Sequence, residues 1–277
     1  MFDSQNKEIV NWYPGHMKKS IDIIKDKLNT IDFYIEVLDA RAIVCSSNSE
    51  LNSIFNNKPK VTIALKSDLS AVEQDDSNIL FGSIYDKKFR LKIINRIKLV
   101  CKSKIDSLRK KGLVNIQLCG MVVGLPNIGK SSLINFLANK NLLISQNQPG
   151  ITKRVSHIKI DNDLVLFDTP GIFFKKVDKF EIGAILTLIK SVNFEIVNKY
   201  EILEYGYNYI IKYYSEEIYK YFGFNSPLNF NDFLNYICDK KRFKLQNNEN
   251  DFERCFSYLY SEFSDSKICN INYEKDL

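Results

Sequence analysis

The sequence predicts an α/β fold, a mostly parallel doubly wound sheet followed by a smaller all-α domain. Three observations carry this expectation. Apolar, β-branched runs alternate with helix-like segments over roughly the first 175 residues, the pattern of strands joined by crossover helices. One run leads through a glycine-rich turn directly into a helix, the setting of a phosphate-binding loop. After Phe174 the strand-like texture stops and apolar residues recur at helical spacing.

In chain order, FYIEVLDA (33–40), KVTIAL (60–65) and NIQLCGMVVG (115–124) read as buried strands. A basic helical stretch, FRLKIINRIKLVCKSKIDSLRKK (89–111), precedes the third. Residues 155–168 alternate on either side of Asn162-Asp163 and read as a hairpin with a two-residue turn. Residues 180–222 contain no strong breaker apart from Gly183 and Gly206. Gly223 is placed to cap a helix, with Pro227 beyond it. Further amphipathic helices are expected at 230–240 and 250–264. The expected division is residues 1–177 for the α/β domain and 178–277 for the helical one.

The composition, 45% apolar and 26% charged over 277 residues, is that of a globular protein. No apolar run approaches the roughly 20 residues that cross a bilayer. The N-terminus, MFDSQNKEIVNWYPGHMKKS, lacks the apolar core of a signal peptide and the bias of a transit peptide. A cytoplasmic protein with no membrane partner is expected. Six scattered cysteines without a CxxC pair, and two histidines, argue against a zinc site or disulfide framework. The net charge of +6 is uneven: residues 190–277 hold 11 Lys+Arg against 14 Asp+Glu, so residues 1–189 hold 28 against 19. A basic N-terminal part suits contact with a polyanion.

Gly124-Leu-Pro-Asn-Ile-Gly129-Lys130-Ser131 matches G-x-x-x-x-G-K-[ST] between a strand and the helix beginning Ser131-Ser132. Backbone N–H groups from Asn127, Ile128 and Gly129 onward wrap phosphates, Lys130 bridges the β- and γ-phosphates, and Ser131 ligates Mg2+. Asp168-Thr-Pro-Gly171 closes a strand, where the carboxylate holds the magnesium shell and Gly171 offers an N–H to the γ-phosphate. Between them, Gln148-Pro-Gly-Ile-Thr152 supplies a hydroxyl, Thr152, for the metal. Upstream stands Leu65-Lys66-Ser67-Asp68, in which Asp68 accepts both N–H donors of guanine and the Lys66 stem packs along the ring. Leu65 replaces the usual asparagine, which braces the phosphate loop. Gly82-Ser83 is placed to offer a backbone N–H to guanine O6.

With the base motif ahead of the phosphate motifs, the chain resembles the circularly permuted GTPases, specifically the ribosome biogenesis GTPase A (YlqF/RbgA-type) family. Asn11-Trp-Tyr-Pro-Gly-His-Met-Lys18 resembles the family's WFPGHM signature, Leu38-Asp-Ala-Arg41 its V-D-A-R segment, and Phe180-Glu-Ile-Gly183-Ala its entry into the helical domain. Asp251-Phe-Glu-Arg254 followed by Lys267-Ile is similar to its closing helix and tail. The resemblance implies a permuted P-loop GTPase domain, a helical C-terminal domain that binds rRNA, GTP/GDP and Mg2+ as ligands, and a monomer acting late in assembly of the large (50S) subunit. Position 172 is Ile rather than a water-orienting glutamine. His16 is then a candidate for positioning the attacking water, with RNA contact or packing as its other readings. Asn127 matches the asparagine that helps relatives bind K+ near the phosphates. A non-catalytic ribosome-binding scaffold and a P-loop ATPase are the competing readings, opposed by the intact GKSS and DTPG motifs and by Asp68 respectively.

Twelve of the fifteen tyrosines lie in residues 190–277 and are expected mostly to pack. Lys240-Lys241-Arg242-Phe243-Lys244 is the candidate phosphate contact of that region. His157 is expected to be structural.

Overall fold

The computed structural model describes residues 22, 24–72, 78–139, 156–169, 171, 177 and 179–277. Six strands form one sheet: β1 (Phe33–Asp39), β2 (Lys60–Leu65), β3 (Ile79–Phe81), β4 (Leu118–Gly124), β5 (Ser156–Lys159) and β6 (Leu164–Asp168), in the order β3-β2-β1-β4-β6-β5. All neighbours are parallel except β5 and β6, which are antiparallel. Helices of eight or more residues are α1 (Lys87–Val100), α2 (Lys102–Lys110), α3 (Lys130–Ala138), α4 (Phe180–Leu188), α5 (Lys199–Tyr213), α6 (Ser215–Phe222), α7 (Phe230–Lys241) and α8 (Phe252–Ser264).

The sheet is covered on both faces, which is why β1 is buried along its whole length and reads as a mainly apolar run, interrupted by Glu36 and ended by Asp39. One face carries Phe33, Ile35 and Val37 against Phe89, Ile93 and Ile97 of α1 and Leu133 and Ile134 of α3. On the other, Tyr34, Met121 and Val123 meet Ile24, Leu28, Leu51 and Phe55. The doubly wound expectation is met.

Local chemistry moves several boundaries. The basic stretch is two helices, because the backbone turns at Cys101 (φ −92°, ψ 6°), and it starts earlier, at an N-cap made by Asp86 on Lys88 N (2.9 Å). The hairpin turn is three residues, 161–163, rather than two: Lys159 pairs with Val165, Ile160 N donates to Leu164 O (2.9 Å), and the Asp161 carboxylate accepts from Asp163 N (2.9 Å). Residues 180–222 hold three helices, not one, broken where Lys190 adopts φ +66° and where Tyr214 adopts φ −145°. Neither residue is a breaker by type, so packing rather than propensity sets both breaks. Gly223 ends α6 at φ +74°, as expected. Asn198, Asn229 and Asp251 cap α5, α7 and α8.

The helices of residues 180–264 pack through aromatic side chains, with Tyr207 stacked on Phe233 (centroids 4.4 Å) and Phe194 on Tyr260 (4.0 Å). The tyrosine hydroxyls are satisfied: Tyr207 donates to Leu228 O, Tyr209 to Asn272 O and Tyr236 to Phe222 O, each at 2.8 Å. The packing expectation for these rings holds.

After α8 the chain returns to the sheet. Ile271 N donates to Leu69 O (3.0 Å), Ala71 N to Ile271 O (3.2 Å) and Tyr273 N to Arg41 O (2.9 Å), so the tail threads between the loops that follow β1 and β2. Ile271 and Tyr273 are fully buried. Ile271→Ala should therefore lower unfolding stability by about 2–5 kcal/mol, the cost of a large-to-small change in a packed site. Urea denaturation of the full chain measures it, and a loss under about 0.5 kcal/mol, the size of an ordinary surface substitution, would show that the tail is only laid on the surface.

Candidate nucleotide-binding site

The strand order brings the sequence motifs to the C-terminal ends of adjacent parallel strands, the edge where open α/β sheets bind ligands. β4 runs into the phosphate loop, β6 ends at Asp168, β2 ends at Leu65, and β3 delivers Gly82-Ser83. Within the loop, Asn127 (φ +55°) and Gly129 (φ +107°) take left-handed conformations that turn successive N–H groups to one side before α3 begins at Lys130. Ile128 is fully buried and anchors the loop from below. Lys130 Nζ donates to Leu125 O (2.7 Å) and Gly124 O (3.2 Å), holding its ammonium over its own loop. Burial pushes its pKa down to about 8, against the opposing pull of the Asp168 carboxylate.

Ser131 and Ser132 occupy the first turn of α3. Ser131 Oγ donates to Asp168 Oδ2 (2.8 Å), while Asp168 Oδ1 is buried with no hydrogen-bond partner among the described residues. Burial raises the Asp168 pKa, partly offset by the Ser131 hydrogen bond and the Lys130 charge. A hydroxyl beside a carboxylate with one orphaned oxygen is the hard-oxygen set that suits Mg2+, so the residues fit the ion. Gly171 is needed for close approach: a Cβ there would lie 2.5 Å from Cα of Pro126 in the phosphate loop. Thr169 fixes the start of that turn by donating to Val122 O (2.6 Å).

On the candidate base side, Ser67 N donates to Gly82 O (3.4 Å) and Gly82 N to Ala64 O (3.1 Å), tying the loops after β2 and β3 together. Asp68 is exposed, its carboxylate clear of other groups among the described residues. Leu65 is only 2% exposed, and its Cδ1 lies 3.1 Å from where a Cβ on Gly129 would stand. The position that usually braces the phosphate loop through an asparagine amide here touches it through a methyl group.

Lys66, whose stem the sequence places along the base, is anchored at its head. It takes φ +63°, and its ammonium pairs with Asp39 Oδ2 (2.8 Å), so its stem is held from the strand side. Arg41 grips the same carboxylate in two-pronged fashion, Nε to Oδ1 and Nη2 to Oδ2, both 2.8 Å. Burial alone would raise the Asp39 pKa, but the Arg41 and Lys66 cations outweigh it and hold it well below the carboxylate range. Arg41 also donates through Nη1 to Ser264 O at the end of α8. A second link runs from the phosphate loop: Asn127 Nδ2 donates to Lys190 O (3.1 Å), and Lys190 Nζ pairs with Asp265. Asp39 and Arg41 had a sequence signal, opposite charges two residues apart closing an apolar strand. Lys190 and Asp265 are 75 positions apart, with nothing local to mark them.

His16, Thr152 and Ile172 lie outside the described residues. His157 is exposed on β5 beside Phe167 (centroids 5.2 Å), away from the phosphate loop. The basic cluster after α7 is partly consumed internally: Lys240 donates to Phe222 O, and Lys244 pairs with Asp239 (2.6 Å) and Asn250 (2.6 Å). Lys240 thus caps the end of α6, and Lys244 is engaged by two neighbouring side chains.

Arg41→Met should destabilise the fold by about 3–5 kcal/mol, because it strips the main partner from a buried carboxylate. A carboxyl whose pKa is depressed on folding adds stability above its unfolded pKa of about 4, and loses it as pH falls toward the folded value. Wild type should thus lose stability steeply below about pH 4, while Arg41→Met gives a flatter acid limb in pH-dependent urea melts. Matching acid limbs would refute the pairing.

A family profile described as "50S ribosome-binding GTPase" matches residues 120–215. The "Probable ribosome biogenesis GTPase A" of Mycoplasma genitalium is 40% identical over 85% of this chain and 84% of its own length. That of Mycoplasma pneumoniae is 35% identical over 96% and 97%. Among solved structures, GNP-bound YlqF from T. maritima superposes with a TM-score of 0.62 at 20% identity, over 92% of this chain and 97% of that one. The GDP-bound YlqF structure gives 0.64 at 20% identity, over 91% and 98%. The phosphate loop, the Asp168 turn and the preceding base motif thus sit in a chain that belongs to the ribosome biogenesis GTPase A family.

Proposed function

We propose that this protein binds and hydrolyses GTP as a ribosome biogenesis factor acting in a late step of large-subunit assembly, with residues 1–177 as the permuted G domain and 178–277 as the ribosome-facing helical domain. The observation that carries this reading is the meeting of Leu65 with Gly129, which sets the base motif and the phosphate loop side by side at one sheet edge. Asp68 reads the guanine N–H donors, Gly82-Ser83 lines the same pocket, and backbone groups of 127–132 hold the phosphates. Lys130, already poised as a cation donor, neutralises the β- and γ-phosphates. Ser131 and Asp168 would hold Mg2+, joined by Thr152, and the ion would screen charge between the phosphates. For K+, Asn127 is the candidate ligand, its side chain held in place by the hydrogen bond from Nδ2 to Lys190 O (3.1 Å). His16 would position the attacking water, since Ile172 cannot polarise it.

Titrating fluorescent GDP off the protein checks this. GTP and GDP should compete while ATP does not, Asp68→Asn should weaken guanine binding by about tenfold or more, and phosphate release should rise with 50S precursor particles and in K+ over Na+. Equal competition by ATP would support the ATPase reading. No binding at all would leave a scaffold, against which the tight packing of Leu65 speaks.

Both nucleotide-binding loops are linked to the end of α8, the base motif through Asp39 and Arg41 to Ser264, the phosphate loop through Lys190 to Asp265. We infer that this convergence transmits nucleotide state to the helical domain. Lys190→Ala, which keeps the backbone carbonyl, should leave GDP binding within about threefold yet remove most of the difference in 50S-precursor affinity between GTP-analogue and GDP states. Retention of that difference would sink the coupling.

A further inference from the structure

The basic helices between β3 and β4 take no part in the site above, and their charge is extreme. Residues 87–111 hold eleven Lys+Arg against a single acid, Asp106, for +10; with +6 for the whole chain, everything else sums to −4. All of the protein's positive excess is thus concentrated on α1, α2 and the turn after them.

Packing directs that charge outward. Phe89, Ile93, Ile97 and Cys101 are buried and fix the inner face on the sheet. On the opposite face Lys87, Lys88, Lys92, Lys98 and Lys102 are exposed, as are Arg109, Lys110 and Lys111 beyond. None of these eight pairs with a carboxylate among the described residues, whereas Arg90 and Lys104 are engaged by Leu137 O and Asp32. At 1.5 Å per residue, Lys88 and Lys102 stand about 20 Å apart along the helices, a span that reaches several successive phosphates. A merely solubilising surface mixes both signs evenly; this one carries one acid, Asp106, among eleven bases, with Asp86 at its head. Tyr85, 83% exposed at the head of α1, offers a ring for stacking on an unpaired base.

We propose that the outer face of α1 and α2 is a docking surface for structured RNA, contacted mainly through its phosphate backbone. The proposal rests on the ribosome-directed function above and names the G-domain surface that serves it, distinct from the helical C-terminal region. An anionic membrane is the weaker fit, because interfacial helices insert a free apolar face and here the apolar face of α1 is spent on the sheet, leaving Leu91 and Leu99 as isolated outward side chains on the helix.

The test is a full-length variant, Lys88→Gln/Lys92→Gln/Lys98→Gln/Lys102→Gln, compared with the four-fold Lys→Arg variant and wild type. Fluorescence anisotropy with a short labelled RNA duplex is followed across a KCl series. Losing four phosphate contacts should reduce the slope of log K against log salt by about 3, and low-salt affinity by tenfold or more. The arginine variant should bind as wild type does. GDP binding and thermal midpoint should stay unchanged in both, since all four side chains are exposed. An unchanged slope and affinity in the glutamine variant would overturn the proposal. So would loss of binding in the arginine variant, or an effect confined to phosphatidylserine vesicles. Failure of wild type to bind GDP would instead strike the GTPase reading, so the two failures are separable.

Discussion

The Asp39 carboxylate, buried at the end of the central strand and shared by Arg41 and Lys66, is the interaction on which the rest of the arrangement depends. A carboxylate in such a place is costly unless it is fully paired, and pairing it fixes three parts of the chain at once. The Lys66 ammonium is tied to the end of β1, Arg41 is held by two bonds to the same carboxylate, and its remaining guanidinium nitrogen donates to Ser264 O at the end of α8. The C-terminal tail then completes the junction, with Ile271 and Tyr273 filling the space between the β1 and β2 loops and Glu274 accepting from Val44 N (2.9 Å).

One consequence is that the helical region is not an appendage attached only where the chain leaves the sheet near Asp168. It grips the same sheet edge that presents the nucleotide motifs. Leu65 shows how closely these are fitted: a methyl group under Gly129 replaces an amide, so the two loops are coupled by contact and by excluded space rather than by a directional bond.

The aromatic-rich helices and the basic helices divide the labour of the surface. Tyr207, Tyr209 and Tyr260 spend their hydroxyls on backbone carbonyls, within a region of net negative charge. The positive charge lies on α1 and α2, between β3 and β4, with the inner face of α1 committed to the core.

The sequence by itself determined the strands β1, β2, β4 and β6, the phosphate loop, the Asp168 turn and the base motif, because each is specified by local spacing of apolar residues, glycines and charged side chains. It also placed the caps at Gly223 and the hairpin as a pair, though not its three-residue turn. Only the tertiary structure decided the short β3, the helix breaks at Lys190 and Tyr214, the pairing of Lys66 with Asp39, and the Lys190–Asp265 link. The Lys66–Asp39 and Lys190–Asp265 links join groups far apart in the chain. There, pairing a charge or filling a gap outweighs local propensity, and no window of sequence contains both partners.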